Sequence, residues 1–329
     1  MIISQTPVRL SFLGGGTDYP EYFRLHGGAA LVATINKYTT ITVHPLTQFA
    51  DHCVRIHYSR VESVQCIDEI QHPSARECLR HLRIKSGVEI HYVSDLPART
   101  GLGSSSSATV GLLLALHAFN GEMVSREWVA AEAVHVEQEL IHEQVGCQDQ
   151  YACALGGMRR LEFRPDGRVC SDPVVLSPDR LQALQERLML LYTGIQRDAQ
   201  DVLDEQIERM RNGESADHLE RLKGLVGEGI QTLVESRDLS EFGELLHEAW
   251  MIKRGLSSKV STPRIDEAYD RARRAGAVGG KLLGAGGGGF LLLYVEPYNH
   301  ARVRNALPEL SEVVFTFENT GSTLIFYRA

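Results

Sequence analysis

The stretch that decides the fold of this chain is Pro97-Ala-Arg-Thr-Gly-Leu-Gly-Ser-Ser-Ser-Ser-Ala108. Its two glycines allow a tight bend and a close approach of the backbone to a ligand. Four serines follow, and they run directly into an apolar, helix-like segment from Thr109 to Phe119. This order places free backbone N–H groups and hydroxyls at a helix start, where the dipole and the unpaired donors favour phosphate. A flexible Gly/Ser linker does not run into such a helix, so the sequence predicts a phosphate-binding loop. The loop differs from a Walker A motif, because the chain contains no Gly-x-x-x-x-Gly-Lys-Ser/Thr.

Size and charge limit the class of function. The 329 residues can form one large or two medium domains. A net charge of −8 and a pI near 5.9 argue against general nucleic-acid binding, so local donors must hold any anionic ligand. The six cysteines are scattered without a Cys-x-x-Cys pair, which is typical of free thiols in a reducing compartment. With no leader pattern and no apolar run of roughly 20 residues, we expect a cytoplasmic protein without a membrane partner. The sequence indicates no oligomeric state.

The order of predicted elements indicates a mixed α+β chain in two parts. Alternating and apolar runs predict strands at 30–43, 88–93, 188–192, 289–295, 313–317 and 324–327. Helices are expected from the serine run to Asn120, from Ser125 to about Glu143, and over much of 199–275. A cluster of prolines with Asp166-Gly167 lies between 163 and 178. We therefore expect a boundary there, giving domains 1–178 and 179–329.

Glu137 stands apart from the other charges of the helix predicted after Ser125. At 100° per residue, five apolar residues fall within about 60° of it, namely Ala130, Ala133, Val134, Leu140 and Ile141. Glu132, Glu139 and Glu143 fall on the opposite face and are expected to be solvated. A carboxylate centred on an apolar stripe is costly unless it is paired, protonated or bound to a cation. At the edge of the stripe it would reach water, and helix geometry alone leaves both positions open.

Asp149 follows Glu137 within the short segment Gly146-Cys-Gln-Asp-Gln-Tyr-Ala152. In isolation this aspartate is typical of an N-cap for 150–155. A phosphate loop, an inward glutamate and a following aspartate are harder to explain separately, and together they indicate one chemical site. Mg²⁺ prefers hard oxygen ligands, often one or two protein groups plus nucleotide phosphates. A serine of the loop and Glu137 could supply the protein ligands.

Two further glycine segments flank this centre. The first, Pro7-Val-Arg-Leu-Ser-Phe-Leu-Gly-Gly-Gly-Thr-Asp18, joins a strand that carries Arg9 to a glycine turn. Asp18 precedes Pro20 and fits a helix N-cap, but it could also accept hydrogen bonds from substrate hydroxyls. The second, Lys281-Leu-Leu-Gly-Ala-Gly-Gly-Gly-Gly-Phe290, precedes an apolar strand. Four adjacent glycines imply unusual dihedral angles or close backbone contact, which favours an approach to the active site over a tightly packed loop.

Taken together, these segments resemble the GHMP kinases, the family of galactokinase, homoserine kinase, mevalonate kinase and phosphomevalonate kinase. The resemblance runs from Pro7 to Phe290 with the motifs in the family's order. It implies a two-domain α+β fold, with an N-terminal domain similar to ribosomal protein S5 domain 2 and a ferredoxin-like C-terminal domain. It also implies ATP and Mg²⁺, and a small sugar or sugar phosphate as the partner.

The resemblance assigns expected roles by position. Asp149 matches the catalytic aspartate, Arg9 the basic residue beside it, and Ser105 and Glu137 the magnesium ligands. The expected ATP loop comprises Pro97, Arg99, Gly101, Leu102, Gly103, Ser104, Ser105 and Ser106. Expected substrate contacts are Gly15, Gly16, Thr17, Asp18, Gly146, Gly286, Gly287, Arg197 and Lys253.

Within the family, Arg9–Phe23, 146–152, 192–194 and 250–257 are most similar to the D-glycero-D-manno-heptose 7-phosphate kinases. Galactokinase-like members carry Glu-His where Gly15-Gly16 stands here, which argues against galactose. The implied reaction is transfer of the γ-phosphoryl of ATP to the anomeric C1 hydroxyl. A second phosphate on the sugar needs a cation, and the candidates are Arg197, Lys253, Arg254 and Lys259, although each alone is more typical of a solvated helix. Kinases of unphosphorylated fucose, mannose or heptose, and a catalytically silent sugar and ATP sensor, remain alternatives.

Overall fold

A computed structural model describes residues 1–47, 49–85, 87–98, 100–195, 200–235 and 237–328, with the backbone alone described at 200 and 201. The strands are β1 (Ile2–Leu13), β2 (Gly28–Pro45), β3 (Val54–His57), β4 (Val61–Val64), β5 (Val88–Ser94), β6 (Met158–Phe163), β7 (Val169–Pro173), β8 (Leu188–Tyr192), β9 (Ala277–Leu282), β10 (Phe290–Val295), β11 (Ser311–Glu312) and β12 (Thr323–Tyr327). The α-helices are α1 (Pro20–His26), α2 (Pro73–His81), α3 (Ser104–Phe119), α4 (Arg126–His135), α5 (Gln148–Leu155), α6 (Pro178–Gln185), α7 (Gln200–Arg211), α8 (Ala216–Val234), α9 (Ser240–Gly255), α10 (Pro263–Arg274) and α11 (His300–Ala306). Short 3₁₀ turns lie at Ile67–Glu69 and Pro297–Asn299.

The larger sheet positions the predicted phosphate loop. Its main path runs β12-β1-β2-β5-β3-β4, and β6 joins β2 and carries β7. The inward side chains alternate along the strands, and Ile41, Ile56 and Ile90 form an apolar core with the buried face of α3. Packing of α3 on this face anchors the helix, so that its N-terminus meets the backbone of β1, where Arg9 N donates to Leu102 O at 3.0 Å.

The smaller sheet has the strand order β11-β8-β10-β9, with every pairing antiparallel. Numbered within this sheet, the order is 4-1-3-2, which is the ferredoxin-like arrangement that the resemblance implies. Four helices, α7 to α10, lie between its first two strands, where the long helical region was predicted. The β8 residues Leu188 to Leu191 are all buried, as expected of a central strand covered on both faces.

One continuous core joins the two sheets. Phe12 from β1 packs against Phe242 from α9, with ring centroids 5.5 Å apart. The last strand, β12, pairs with β1 and therefore belongs to the larger sheet. The division into domains 1–178 and 179–329 stays a prediction. With that division, β12 would belong to the second domain by sequence but to the sheet of the first domain by strand pairing.

The helix predicted from Ser125 to Glu143 begins as expected and ends earlier. Ser125 Oγ accepts the N–H of Trp128 at 3.1 Å, as an N-cap should. After His135 the backbone becomes π-helical over Val136–Leu140 and then leaves the helix. Such widened turns occur often at functional sites, and this one carries Glu137. The prediction that Glu132 is solvated is wrong, because its side chain is only 8% exposed and pairs with His81 and His117.

The predicted strand at 313–317 is also wrong. The ladder stops at Glu312, and beyond it the segment makes single backbone hydrogen bonds, from Val313 N to Leu190 O and from Asn36 N to Thr316 O, with an isolated bridge between Phe317 and Ile35. Phe315 and Phe317 instead turn their rings toward the core, where Phe317 lies 6.4 Å from Phe12. The remaining predicted strands are present. No helix in the described part of the chain is both long and apolar enough to cross a membrane.

Candidate active site

A cavity of about 790 Å³ lies where the two sheets meet. The N-termini of α3 and α5, the glycine turn after β1 and the glycine loop before β10 all reach it. Of the residues predicted from the sequence, those lining the cavity are Arg9, Gly15, Gly16, Asp18, Gly101, Gly103, Ser104, Ser105, Ser106, Gly146, Asp149, Lys253 and Gly286. These residues are far apart along the chain, and the structure brings them together around one cavity.

Arg9 and Asp149 form the central ion pair of this cavity. Arg9 Nε donates to Asp149 Oδ1 at 2.8 Å, and Arg9 Nη2 donates to Oδ2 at 2.5 Å. The third donor, Nη1, reaches the carbonyl oxygen of Gly101 at 2.6 Å. The Arg9 side chain is 3% exposed while that of Asp149 is 24% exposed. The guanidinium is therefore fixed behind the carboxylate, and the carboxylate faces the cavity. Asp149 lies in the first turn of α5 but does not cap it, because its oxygens are engaged with Arg9.

Asp18 adds a second carboxylate to the same wall. It does not cap α1, since the N-cap position is Tyr19 and no side chain bonds there. Its Oδ1 instead accepts the N–H of Gly16 at 3.1 Å, and its Oδ2 accepts the N–H of Gln148 at 3.3 Å. Burial, with a smaller contribution from Asp149, raises the pKa of Asp18 to about 6. A buried acceptor that remains largely ionised at neutral pH suits the hydroxyl groups of a polar ligand.

The serine loop presents the open end of α3 to the cavity. Gly103 occupies the N-cap with φ +72°, a left-handed conformation that side chains other than glycine adopt at a cost. The first intrahelical bond is from Ser107 N to Gly103 O, so the N–H groups of Ser104, Ser105 and Ser106 precede the helical ladder. Unpaired donors and a helix dipole favour phosphate, so the geometry is consistent with the phosphate-binding loop, which stays a prediction.

Close contact between two glycine loops brings both sheets to this end of α3. A Cβ on Gly101 would lie 2.4 Å from Leu283 O, and a Cβ on Gly289 would lie 2.2 Å from Thr100 O. Both glycines also have positive φ, +82° and +97°. The glycine cluster before β10 is therefore held against the serine loop by backbone-to-backbone packing that larger residues would obstruct, and Gly284, Gly286 and Gly288 line the cavity.

Glu137 lies directly behind the cavity wall and is 0% exposed. Its Oε2 accepts hydrogen bonds from Ser106 Oγ and from Gln150 Nε2. Burial raises the pKa of Glu137 to about 7. The sequence left open whether this residue sits at the centre or the edge of the apolar stripe, and the structure shows the centre.

The region around Glu137 fits a hard cation. Glu137 Oε1 and Gln150 Oε1 are buried, and each is without a hydrogen-bond partner among the described residues, while Gln150 Nε2 holds the two side chains together. A carboxylate oxygen and an amide oxygen, both unpartnered, are hard donors of the kind that Mg²⁺ prefers. The predicted pair of Ser105 and Glu137 is not in contact. With successive residues 100° apart on α3, Ser106 points to Glu137 while the exposed side chain of Ser105 faces the cavity.

Two buried lysines also line the cavity. Lys253 Nζ contacts the carbonyl oxygen of Gly284, and Lys281 Nζ donates to Phe12 O at 2.9 Å. Burial lowers the pKa of Lys253 to about 8 and holds that of Lys281 well below its usual range. Lys281 was missed as a site residue; its position just before the glycine cluster was the available signal. Of the other predicted cations, Arg254 pairs with Asp266 at 3.1 Å and Lys259 is exposed.

Four predicted contact residues lie outside the wall. Leu102 is fully buried in the core and Pro97 precedes the lining segment. Thr17 is buried with its hydroxyl 2.8 Å from Gly14 O and Ala29 O, so it closes the turn and does not face a ligand. Gly287 donates its N–H to Val260 O, away from the cavity. The predicted Arg99 and Arg197 lie outside the described residues.

An aromatic region at the far end of the cavity was also missed. His72 stacks on Tyr92 with centroids 4.9 Å apart, and Tyr58 meets His72 edge-on at the same distance. Tyr58 follows β3, Tyr92 lies on β5 and His72 precedes α2, so their separation along the sequence hides their grouping. Flat rings near a phosphate-binding helix end are suited to a planar base.

Two family models match the chain. Residues 70–157 match the GHMP kinases N terminal domain, and residues 230–312 match the GHMP kinases C terminal domain. The chain is 29% identical to the D-glycero-alpha-D-manno-heptose 7-phosphate kinase of Campylobacter jejuni, over 97% of this chain and 96% of that protein. It is 27% identical to the L-fucokinase/L-fucose-1-P guanylyltransferase of Bacteroides fragilis, covering 94% of this chain but only 36% of that longer protein.

The fold comparison agrees. The crystal structure of a D-glycero-D-manno-heptose 1-phosphate kinase from Bacteroides thetaiotaomicron covers 100% of both chains with a TM-score of 0.80 at 24% identity. Both family models match, the sequence is similar to a kinase over its full length, and the fold is shared. These findings agree with a cavity that brings together the serine loop and the carboxylates of Asp18 and Asp149. The chain belongs to the GHMP kinase family.

Proposed function

We propose that this protein transfers the γ-phosphoryl group of ATP to the anomeric C1 hydroxyl of D-glycero-D-manno-heptose 7-phosphate, giving the 1,7-bisphosphate. The observation that carries the proposal is that Asp149, fixed by buried Arg9, faces the same cavity as the open N-terminus of α3. A phosphate cradle and a positioned carboxylate in one cavity are the two parts that phosphoryl transfer requires.

The donor side uses the first turn of α3. The N–H groups of Ser104 to Ser106 and the exposed hydroxyl of Ser105 would hold the triphosphate, and the rings of His72 and Tyr92 would accept the base. Glu137 and Gln150 would hold Mg²⁺, which would supply positive charge to offset the negative charge of the phosphates.

The acceptor side uses the carboxylates. Asp149 orients the C1 hydroxyl and accepts its proton as the new P–O bond forms and the bond to ADP breaks. Arg9 keeps the Asp149 carboxylate in place and stabilises developing negative charge. Asp18 accepts hydrogen bonds from other sugar hydroxyls. Because the transition state is loose, positioning and charge stabilisation dominate over proton abstraction.

We assign the binding of the sugar's 7-phosphate to Lys253 and Lys281. Lys253 and Lys281 are buried in the cavity lining, no carboxylate hydrogen-bonds either Nζ among the described residues, and burial lowers the pKa of both because it disfavours the charged amine at some cost. A phosphate dianion beside them would offset this cost. Similarity to the Campylobacter jejuni enzyme supports the same substrate.

A second candidate is a kinase of an unphosphorylated sugar such as fucose, mannose or heptose. It is favoured by the contacts that both lysine Nζ atoms already make with backbone carbonyl oxygens. Similarity to the Bacteroides fragilis fucokinase points the same way. A catalytically silent sensor is less supported, because Arg9, Asp149 and Glu137 are all present and assembled.

The test is ADP release measured over a panel of sugars and sugar phosphates, with phosphorus NMR to locate the new phosphate. We expect the highest kcat/KM for heptose 7-phosphate. Lys253→Met should lower that value about 10- to 100-fold, as loss of a charged hydrogen bond does, and change that for free heptose much less. Lys223→Met, on α8 beside Glu220, is the matched control. Equal turnover of heptose and heptose 7-phosphate would overturn the assignment of the 7-phosphate as substrate. Absence of turnover with every sugar tested would overturn the assignment of kinase activity.

Gly146→Ala tests the role of Asp18. A Cβ at this position would lie 1.8 Å from Asp18 Oδ2, so the carboxylate must move. Displacement of a positioning group by about 1 Å can cost about 10²-fold, and we expect that loss in kcat/KM for the sugar with nucleotide affinity little changed. Gly227→Ala, where an added Cβ meets nothing within 4 Å, is the control. Parent-like sugar kinetics in Gly146→Ala would remove Asp18 from the acceptor site.

A further inference from the structure

A second cluster of ligating side chains lies on the outer face of the larger sheet, away from the cavity. His57 on β3 is the register partner of His91 on the parallel strand β5, and Glu89 lies two residues before His91. The three side chains therefore share one face, opposite the face that packs on α3. All three are half-buried, with exposures of 30%, 40% and 23% for His57, His91 and Glu89. They are open to a solute from solvent.

The geometry of these groups is that of a ligand set. His57 Nε2 and His91 Nε2 both point to the same oxygen, Glu89 Oε1, at 3.0 and 3.1 Å. Donors bound at about 2.0–2.1 Å to a tetrahedral ion are about 3.3 Å apart, close to these separations. One atom from each residue lies within 4.8 Å of the other two. We propose that His57, Glu89 and His91 bind a divalent transition-metal ion of the Zn²⁺ class.

The alternative is an ordinary charge network, and the arrangement of the rings argues against it. The two imidazoles stack with centroids 4.1 Å apart and planes 5° from parallel. To donate to one oxygen, both rings must carry a proton on Nε2, which places two N–H dipoles, or two charges, side by side. A divalent ion replaces both protons and is bound by both nitrogen lone pairs and the carboxylate. Arg55 on β3 is the register partner of Glu89, but its Nε donates a hydrogen bond to Ser63 Oγ at 3.2 Å and not to Glu89.

A comparison within the same chain supports the distinction. His81 and His117 also flank a glutamate, Glu132, but they reach different carboxylate oxygens, at 2.9 and 2.7 Å. The other nitrogen of His117 is 2.7 Å from Glu122, and hydrogen bonding to Glu132 raises the pKa of His117. An imidazolium held between two carboxylates has no lone pair to give a metal, so that cluster is an ion pair.

The donor set selects the class of ion. Two imidazoles and one carboxylate suit Zn²⁺, Co²⁺, Ni²⁺ or Cu²⁺, whereas Mg²⁺ and Ca²⁺ prefer oxygen ligands. A bound ion would join β3 to β5. The next residues along these strands, Tyr58 and Tyr92, line the cavity on the opposite side of the sheet. The site would therefore brace the strands that carry the aromatic end of the cavity without touching the reacting groups.

The experiment measures Co²⁺ and Zn²⁺ binding to the full chain by visible absorption and calorimetry, with Tm as a second readout. All proteins carry Cys66→Ser, because Cys66 is an exposed thiol and binds the same ions. We expect one ion per chain and a Tm that rises with metal concentration. His57→Ala, His91→Ala and Glu89→Gln should each weaken binding at least about tenfold and remove the rise in Tm.

His44→Ala is the matched control, since His44 is exposed on β2 at the position paired with Glu89. It should bind metal as the parent does. The Tm of each variant without metal shows that it is folded, and Glu89→Gln preserves shape should an alanine variant unfold. Absence of binding to the parent at micromolar metal, triad variants that bind as the parent does, or an equal loss in His44→Ala would each overturn the proposal.

Discussion

Asp149→Asn is expected to bind nucleotide as the parent does and to lose kcat by at least about 10²–10³-fold. Asparagine has nearly the same shape and keeps one oxygen to accept from Arg9 Nε. It removes the negative charge and the ability to accept the proton of the sugar hydroxyl. Binding of a non-hydrolysable ATP analogue, measured by calorimetry, and steady-state turnover of the sugar separate these two effects.

The controls for this variant address the buried ion pair. Asp149→Ala would leave Arg9, which is 2% exposed, without its carboxylate, and breaking a buried pair commonly costs about 3–5 kcal/mol. The alanine variant should therefore have the lower Tm of the two, while Asp172→Asn, at an exposed aspartate, should change neither Tm nor turnover. Turnover of Asp149→Asn within about tenfold of the parent would place the proton acceptor elsewhere.

Glu137→Gln is expected to stabilise the metal-free protein above pH 7 and to abolish most activity. The pKa of Glu137 is about 7 in the folded chain, above its ordinary value of 4.5. The folded state therefore binds the proton more tightly than the unfolded state, and stability falls as pH rises between these two values. Above pH 7 the buried carboxylate lowers the free energy of unfolding by an amount on the order of 2–3 kcal/mol. Glutamine cannot ionise and avoids that loss.

The measurement is Tm against pH in chelator, for the parent, Glu137→Gln and the exposed neighbour Glu139→Gln as control. The gain of Glu137→Gln should be largest near pH 8 and shrink toward pH 5. Added Mg²⁺ should raise the Tm of the parent at pH 8 but not that of the variant, because the ion compensates the carboxylate directly. A variant that melts below the parent at every pH, or that responds to Mg²⁺ as the parent does, contradicts this role for Glu137.

Most of the elements could be predicted from the sequence because their signals are local. The apolar run after the serine loop became α3, and the alternating residues 88–93 became β5. The strand predicted at 313–317 failed because its backbone passes from β8, where Val313 N donates to Leu190 O, to β2, where Thr316 O accepts from Asn36 N, and forms a continuous ladder with neither. Hydrophobicity indicates which residues tend to be buried and does not show whether the backbone will find a partner strand.

The candidate site was predicted only in part. Asp18 and Asp149 both fit N-caps by local pattern, and neither acts as one, because each carboxylate is engaged by groups from another part of the chain. Ser106, not Ser105, contacts Glu137 because the helix begins at Ser104 and its phase sets which side chain turns inward. The aromatic group of Tyr58, His72 and Tyr92 had no motif to indicate it, whereas Lys281 was missed although it opens the glycine segment before β10.

The sequence by itself determined the position of the serine loop, the family resemblance and the identity of the acidic residues, because glycine spacing, helix starts and apolar periodicity act over a few neighbouring residues. Only the tertiary structure decided which of those groups meet. Arg9 and Asp149 are 140 positions apart, and His57 and His91 are 34 apart on strands whose parallel pairing no local pattern specifies. The tertiary structure also sets the pKa values of Asp18, Glu137 and Lys253. Burial removes these groups from water and shifts their pKa values toward neutrality, which no local sequence pattern indicates.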